Sequence, residues 1–419
     1  MSKFKFINGK SDRMLDYAII GGGIAGLYCA RELAVAHPKA KISVFEKYRI
    51  FGGRVLTYRK GSIQWEAGAG RIHKSHRLFK KLLKEYGLTE VPIGHENSWR
   101  PTYGSEAQPN PFEQSLPTWL EQLKMLPDTI LRTHTIHELL EKTVDNPREL
   151  TKPFPYWGEI FTLRADLALK SFSAEMHSHE GFTVCPEGYD SLINAMVADC
   201  KKRGVVLINH MELIEVMPNT LWFATGPRKL KERRSIMEIN TKKMIFAMPQ
   251  VALKKIRIFQ SLPLLNCVKM EPLVRVYCVF PTPWFKDIGR FVTGTKLRYF
   301  IPVGEKTVMI SYTDGDDTAP FIHGDKDEIN VGLALTNECR KMFPDRDIPN
   351  PTLTKVHPWD AGASYWVPGD YDPVAAQKHS LQPFGAANPN IHICGESFSL
   401  RQAWVEGALE NTQELLRTL

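Results

Sequence analysis

Gly21, Gly23 and Gly26 stand in the order G-x-G-x-x-G, and Glu46 follows 20 residues after the last of them. Each residue type has a job at that spacing. The first glycine permits a tight turn, the second lets backbone approach a pyrophosphate, and the third lets a helix pack close to a strand. The acid can accept hydrogen bonds from a ribose diol. An apolar strand, Ala18 to Ile20, leads into the turn, and a helical stretch follows to Leu33. A second strand, Lys41 to Phe45, ends in the carboxylate. Strand, turn, helix, strand and acid together predict a dinucleotide site, with phosphate held on the free N–H groups of the helix.

The elements that must position this turn extend along the whole chain. Ser75 to Gly87 predicts a helix whose Leu78, Phe79, Leu82, Leu83 and Tyr86 share one face. Residues 95–120 are rich in turn formers, and helical stretches are expected near 118–142 and 159–180. Pro186 to Val197 reads as a loop entering a helix. Val205–Ile208, then 211–216, 221–224, 236–240 and 243–247, read as strands, the later ones a β-meander. Leu273–Phe280 and Thr307–Tyr312 are strands of a second region; Asn390–Cys394 is a short closing strand and Trp404–Leu415 a closing helix. The expected fold class is α/β: a Rossmann-like nucleotide domain from the separated segments 12–78, 182–265 and 385–419, plus an α+β substrate domain from 79–181 and 266–384.

Bulk composition narrows the class. The 419 residues, 43% hydrophobic and 24% charged, suit a soluble protein of two or three domains. A net charge of +8 is mild at this length. The densest basic run, Arg228 to Arg234, has no interleaved aromatics and reads as a solvated hairpin tip, so no nucleic-acid partner is expected. Seven cysteines, Cys29, Cys185, Cys200, Cys267, Cys278, Cys339 and Cys394, form no C-x-x-C pair and suggest reduced thiols. With no apolar run of about 18 residues and no leader-like start, the expectation is a cytoplasmic protein without a membrane span. His73, His76, His177 and His179 lack further Cys or His at zinc spacing. They read as loop or surface histidines, and no metal is expected.

Further motifs carry a resemblance. Gly52-Gly53-Arg54, then Gly68-Ala69-Gly70-Arg71, and at the far end Gly395-Glu396 and Trp404-Val405-Glu406-Gly407-Ala408 resemble the flavin-containing amine oxidase family, the monoamine, polyamine and L-amino-acid oxidases. The resemblance implies noncovalent FAD. It implies cofactor contacts at Gly21, Gly23, Ile24, Ala25, Gly26, Glu46, Lys47, Gly53, Arg54, Gly70, Arg71, Met211, Gly395, Glu396, Trp404, Val405 and Ala408. Arg54 would offset phosphate charge with its forked donors, and the helix after Trp404 would point its N-terminus at the flavin pyrimidine. Tyr365 and Trp404 match two aromatics that form a slot for the amine. The implied partners are a small amine or amino acid, molecular oxygen as acceptor, and, as the assembly allowed, a second copy in a homodimer.

Departures from the pattern are informative. Ser364 stands where monoamine oxidases carry the cysteine linked to the flavin; Cys394, on the closing strand, reads as buried packing instead. Arg275 stands where many members have a lysine whose water reaches the flavin, and Lys269 lies six residues earlier. Arg71 falls where amino-acid oxidases grip the substrate carboxylate, although Gly70 replaces their methionine. A charge-assisted bond there is worth roughly 1.5–3 kcal/mol, about ten- to a hundredfold in preference. The expected catalytic set is therefore Arg71, Arg275, Tyr365 and Trp404, in an oxidase of an L-amino acid. A monoamine or polyamine oxidase is the alternative, and a polyamine site would want acids, with Glu159, Asp166 and Glu175 the candidates. Desaturation on the same scaffold, or a flavin-binding protein without catalysis, are further readings. No Gly-x-Ser-x-Gly elbow supports a hydrolase.

Overall fold

The computed structural model describes residues 6–7, 10–11, 14–94, 97–143, 145–176, 181–226 and 235–419. The run 228–234 and His177 and His179 lie outside the described residues. The chain forms two compact units. One takes Met1–Val91, Thr183–Val268 and Asp372–Leu419; the other takes Pro92–Phe182 and Lys269–Tyr371.

In the first unit, strands β1 (Leu15–Ile20), β2 (Ile42–Phe45) and β3 (Val206–Ile208) pair in parallel. Strands β4 (Met211–Met217), β5 (Thr220–Thr225) and β6 (Ile236–Phe246) form the antiparallel meander. The segments expected as two strands, 236–240 and 243–247, are one strand, β6. Its first half pairs with β5, and its second half runs parallel to β1 and to the strand Ile391–Ile393. Nothing breaks it, because Thr241 at the changeover is fully buried and has no turn to make.

Register explains the convergence of distant motifs. Ile20 lies opposite both Phe45 and Phe246, Phe246 opposite Ile393, and Phe45 opposite Ile208. The strands therefore stop together, and the residues that come next, Gly21, Glu46 and then Cys394-Gly395, emerge from one edge of the sheet. Carboxyl ends of parallel strands are where ligands bind in such sheets.

Helix α1 (Ile24–Ala36) packs against α3 (Tyr189–Lys202) and the closing helix Val405–Leu416. Helix α2 (Arg77–Glu85) belongs to this unit too, although the sequence division at 78 leaves only its first two residues there. Its Phe79, Leu82 and Leu83 are buried in one cluster with Leu27, Leu192 and Leu409, and that apolar face decides its allegiance. The helix Pro373–Leu381 likewise sits in the first unit, through Leu381 among Ile19, Ile245 and Cys394.

The second unit is built on a seven-stranded sheet. Its long members are β7 (Val268–Val279), β8 (Thr307–Asp314) and β9 (Leu353–Trp366), with β7 between the other two. One face buries Val274, Val276, Cys278, Val308 and Ile310 against Leu335, Cys339 and Met342 of the helix Glu328–Met342. Gly332 permits the close approach: a Cβ there would stand 1.9 Å from Thr354 Oγ1. A helix begins at Pro111, inside the 95–120 stretch read as rich in turn formers. Asn110 caps it by accepting the Phe112 N–H at 2.9 Å, and proline suits the first helical position.

Candidate functional site

Four separated segments meet at the N-terminus of α1. Gly52 N–H donates to Gly22 O at 2.8 Å, and Gly53 lies so close to Gly23 that a Cβ on it would be 3.3 Å from the Gly23 Cα. Ala69 N–H donates to Arg54 O at 2.9 Å, which brings Gly70 and Arg71 to the same turn. A Cβ at Gly395 would lie 3.8 Å from the Ala25 Cβ. Met211 is buried and donates its N–H to Glu46 O at 2.9 Å. Four glycines of these turns adopt left-handed backbone, Gly21 at φ 109°, Gly52 at φ 118°, Gly53 at φ 60° and Gly395 at φ 121°.

The turn is built to receive an anion. Helix α1 has no side-chain cap and no acid in its first turn, although Ile24 and Ala25 are buried there. Its leading N–H groups need an acceptor, and a pyrophosphate supplies one together with favourable charge at the helix end. Glu46 is buried and accepts N–H bonds from Gly22 and Tyr48, both at 2.8 Å. Burial pushes its carboxyl pKa up while those backbone donors oppose the rise. A carboxylate has about four acceptor sites, so two remain for a diol. These residues fit a dinucleotide cofactor.

Arg54 and Glu396 do something the sequence did not reveal. Arg54 Nη2 pairs with Glu396 Oε2 at 2.9 Å, and Glu396 Oε1 accepts the Ala403 N–H at 2.8 Å. Glu396 thus ties the Gly-Gly-Arg turn to the residue before Trp404. Ala403 is left-handed at φ 65°, a conformation that costs a non-glycine residue about 1 kcal/mol. The guanidinium carbon of Arg71 lies 5.5 Å from the Trp404 ring centre. Glu406, at 1% exposure, accepts the Leu78 and Phe79 N–H groups at 2.8 Å each, and so caps α2 from the closing helix.

His73 and His76, expected in loops or at the surface, are buried at 3% and 0% exposure. The turn between β-structure and α2 folds them inward: His76 Nδ1 accepts the His73 N–H at 3.1 Å, and the two rings meet edge to face. Burial holds both imidazoles down to a pKa of about 4, so they are neutral near pH 7. Among the described residues, no group of three or more His, Cys, Asp or Glu could hold a metal ion.

In the second unit, Arg275 lies opposite Tyr312 across the β7–β8 ladder, with its guanidinium carbon 5.3 Å from the ring centre. The neighbouring His357 is held down to about 4 by burial and, secondarily, by the Arg275 charge. Asp314 accepts N–H bonds from Trp157 at 2.7 Å and Gly158 at 3.1 Å. Its carboxyl is pushed well up by burial and by the nearby Glu159 charge. Tyr365 is buried and donates its hydroxyl to Glu159 Oε2 at 3.3 Å; Gly158 makes room, since a Cβ there would fall 2.2 Å from the ring. Of the other acids, Asp166 is paired with buried Arg164 at 2.7 Å. The Glu175 side chain lies outside the described residues. Lys269 pairs with Glu271 at 2.6 Å, and Ser364 is fully buried.

Residues 24–413 match the family of flavin containing amine oxidoreductases. The chain belongs to that family. Its fold is that of the two-domain amine oxidases: cyclohexylamine oxidase from Brevibacterium oxydans superposes with a TM-score of 0.70 at 17% identity over 97% of this chain and 98% of that one. A putrescine oxidase variant gives 0.74 at 14%, over 97% and 99%. Closer identity is local. An L-amino-acid oxidase of Mus musculus is 36% identical over 85 residues, 19% of this chain and 13% of the relative. One of Echis ocellatus is 33% identical over 94 residues, 22% and 18%. A prenylcysteine oxidase 1 of Rattus norvegicus is 41% identical over 76 residues, 18% and 15%. The matched stretch spans less than a fifth of each of these three relatives. Membership of a flavin-containing family indicates a flavin cofactor. Among the described residues no helix is long and apolar enough to cross a membrane.

Proposed function

We propose that this chain is an FAD-dependent oxidase of an L-amino acid. The observation that carries the reading is the placement of Arg71, joined through Ala69 to the Gly-Gly-Arg turn and lying against Trp404. A guanidinium beside an aromatic wall suits a substrate with a carboxylate and an adjacent amine. A bound flavin would supply a hydride acceptor at N5 for the carbon next to the amine, and oxygen would serve as the final acceptor, leaving as peroxide. Arg71 grips the carboxylate and so orients that carbon. Trp404 contacts the amine and keeps water off it. The imine product hydrolyses to a keto acid and ammonia. Glu46 would hold the ribose of FAD and the first turn of α1 its phosphates, with Ile24, Ala25, Lys47, Val405 and Ala408 as further contacts. Ser364 in place of a cysteine supports noncovalent binding, and Arg275 stands where many members of the family have a lysine. The reading extends to a cytoplasmic location and to a homodimer as the assembly.

A diamine or polyamine reading rests on Glu159, which accepts the Tyr365 hydroxyl and has Asp314 beside it. Such acids would receive a second ammonium group.

Anaerobic bleaching of the flavin in the purified holoenzyme separates the two. The panel is L-amino acids, the amines made by removing their carboxylates, and diamines. Amino acids should reduce the flavin about ten- to a hundredfold more efficiently than the matching amines, and Arg71→Met should erase that preference. Reduction by amines but by no L-amino acid would show the carboxylate role of Arg71 to be wrong.

A further inference from the structure

We propose that His76 is a positioning residue that holds the Trp404 indole in place. Its ring centre lies 4.9 Å from that of Trp404, with the planes inclined at 62°. A histidine with no exposed surface is an expensive choice for packing alone, because its polar nitrogens lose water. It is not there to cap α2. His76 occupies the cap position, yet its side chain makes no cap hydrogen bond, and Glu406 does that work from the closing helix. A serine, threonine, asparagine or aspartate would be the ordinary residue at that position. What the imidazole has instead is a fixed orientation. Nδ1 accepts the His73 N–H, so the ring proton of the neutral form resides on Nε2.

Trp404 needs such support. The residue before it, Ala403, is held left-handed by its bond to Glu396, and the residue two after it is pinned to α2. Those bonds fix the backbone on both sides and do not by themselves set the indole rotamer. His76 and Arg71 both pack on it. The groups around His76 carry charges of both signs: Arg71 and Arg401 against Glu406 and Glu410. A neutral imidazole supports the indole without adding a third cation. The kinetic consequence rests on the reading of Trp404 as a substrate contact; the structural one does not.

The test uses holoenzyme carrying 5-fluorotryptophan, with the Trp404 fluorine resonance assigned by its loss in Trp404→Phe. His76→Gln keeps an acceptor for the His73 N–H but removes the ring. In this variant the Trp404 resonance should shift, broaden or double while the other tryptophans stay put. KM for whichever substrate reduces the flavin should rise about three- to tenfold, with kcat little changed, as the loss of one aromatic packing contact implies. His76→Phe restores a ring and should return both readouts toward wild type, and it serves equally if the glutamine variant folds poorly. An unmoved Trp404 resonance in folded His76→Gln, or a Phe variant as perturbed as the Gln variant, would overturn the proposal. If no amine reduces the flavin while the resonance behaves as expected, the substrate reading fails and the positioning role stands.

Discussion

Glu406→Ala should uncouple α2 from the closing helix, and the size of the effect follows from the geometry. The carboxylate is 1% exposed and accepts two backbone N–H groups, Leu78 and Phe79, at 2.8 Å each. Helix α2 has no acid in its first turn and no side-chain cap bond from His76, so among the described residues Glu406 serves these donors. A bond to a charged acceptor contributes about 1.5–3 kcal/mol net, and a buried donor left unmet costs about 1–3 kcal/mol. Two donors sharing one carboxylate put the loss near 3–5 kcal/mol. Glu406→Gln keeps one acceptor oxygen but turns an amide NH2 toward the other donor, for about half that loss. Amide hydrogen exchange reads the site directly. Protection of Leu78 and Phe79 should fall by roughly a hundredfold or more in the alanine variant, with intermediate values for glutamine. Amides at the centre of β1 should change far less. Equal protection at Leu78 and Phe79 in wild type and Glu406→Ala would refute the capping argument, whatever happened to overall stability.

Two other outcomes are expected. Gly26→Ala would place a Cβ 2.0 Å from Gly21 O, so α1 must back away from the turn. The variant should purify with little flavin, read as the ratio of visible to protein absorbance, and flavin content equal to wild type would contradict the cradle. The second concerns acid. His76 titrates near 4 in the folded chain against about 6.5 unfolded, so the unfolded chain binds the proton first. The stabilising contribution is complete above about pH 6.5 and is lost as pH falls toward 4, by up to about 3 kcal/mol. Thermal midpoints from pH 7 to 4.5 should therefore drop less steeply for His76→Phe than for wild type; parallel curves would count against a buried neutral His76.

The nucleotide half of the fold was legible because its signal is local. Gly21 to Gly26 and Glu46 lie in consecutive elements, and parallel register then brings their ends together. Side chains that act across long sequence separations were not legible. Nothing local to Trp404-Val405-Glu406-Gly407-Ala408 marks Glu406 as a cap for α2, whose Phe79 lies 327 residues away in sequence. His76 sits in a polar stretch, His73-Lys74-Ser75-His76, whose composition suggests surface. Its burial follows from the turn into α2. Glu396 and Arg54 were each expected at the cofactor, and nothing in either local motif announces that they pair. A single strand such as β6, serving a meander at one end and a parallel sheet at the other, also has no local signature.

The β8 strand shows why alternation misleads where a site is built. Val308 and Ile310 face the apolar layer, so strict alternation would send Tyr312 and Asp314 there too. The ladder to β7 shifts register between Val276 and Tyr277, and Val276 lies opposite Ser311 while Tyr277 lies opposite Met309. Ile310 is the extra residue of a bulge. Beyond it, Ser311 and Thr313 take the apolar side opposite Val276 and Val274, and Tyr312 and Asp314 turn to the face that carries Arg275. The exchange is costly. The Ser311 and Thr313 hydroxyls are buried without hydrogen-bond partners, at about 1–3 kcal/mol each. An unbulged strand with valines at those positions would be the more stable design for a sheet alone. Keeping the bulge makes sense if the Arg275 face is where selection acts, since bulges that re-aim side chains concentrate beside active sites. The bulge thus sets Arg275, Tyr312 and Asp314 on one face of the sheet, with the Arg275 guanidinium carbon 5.3 Å from the Tyr312 ring centre.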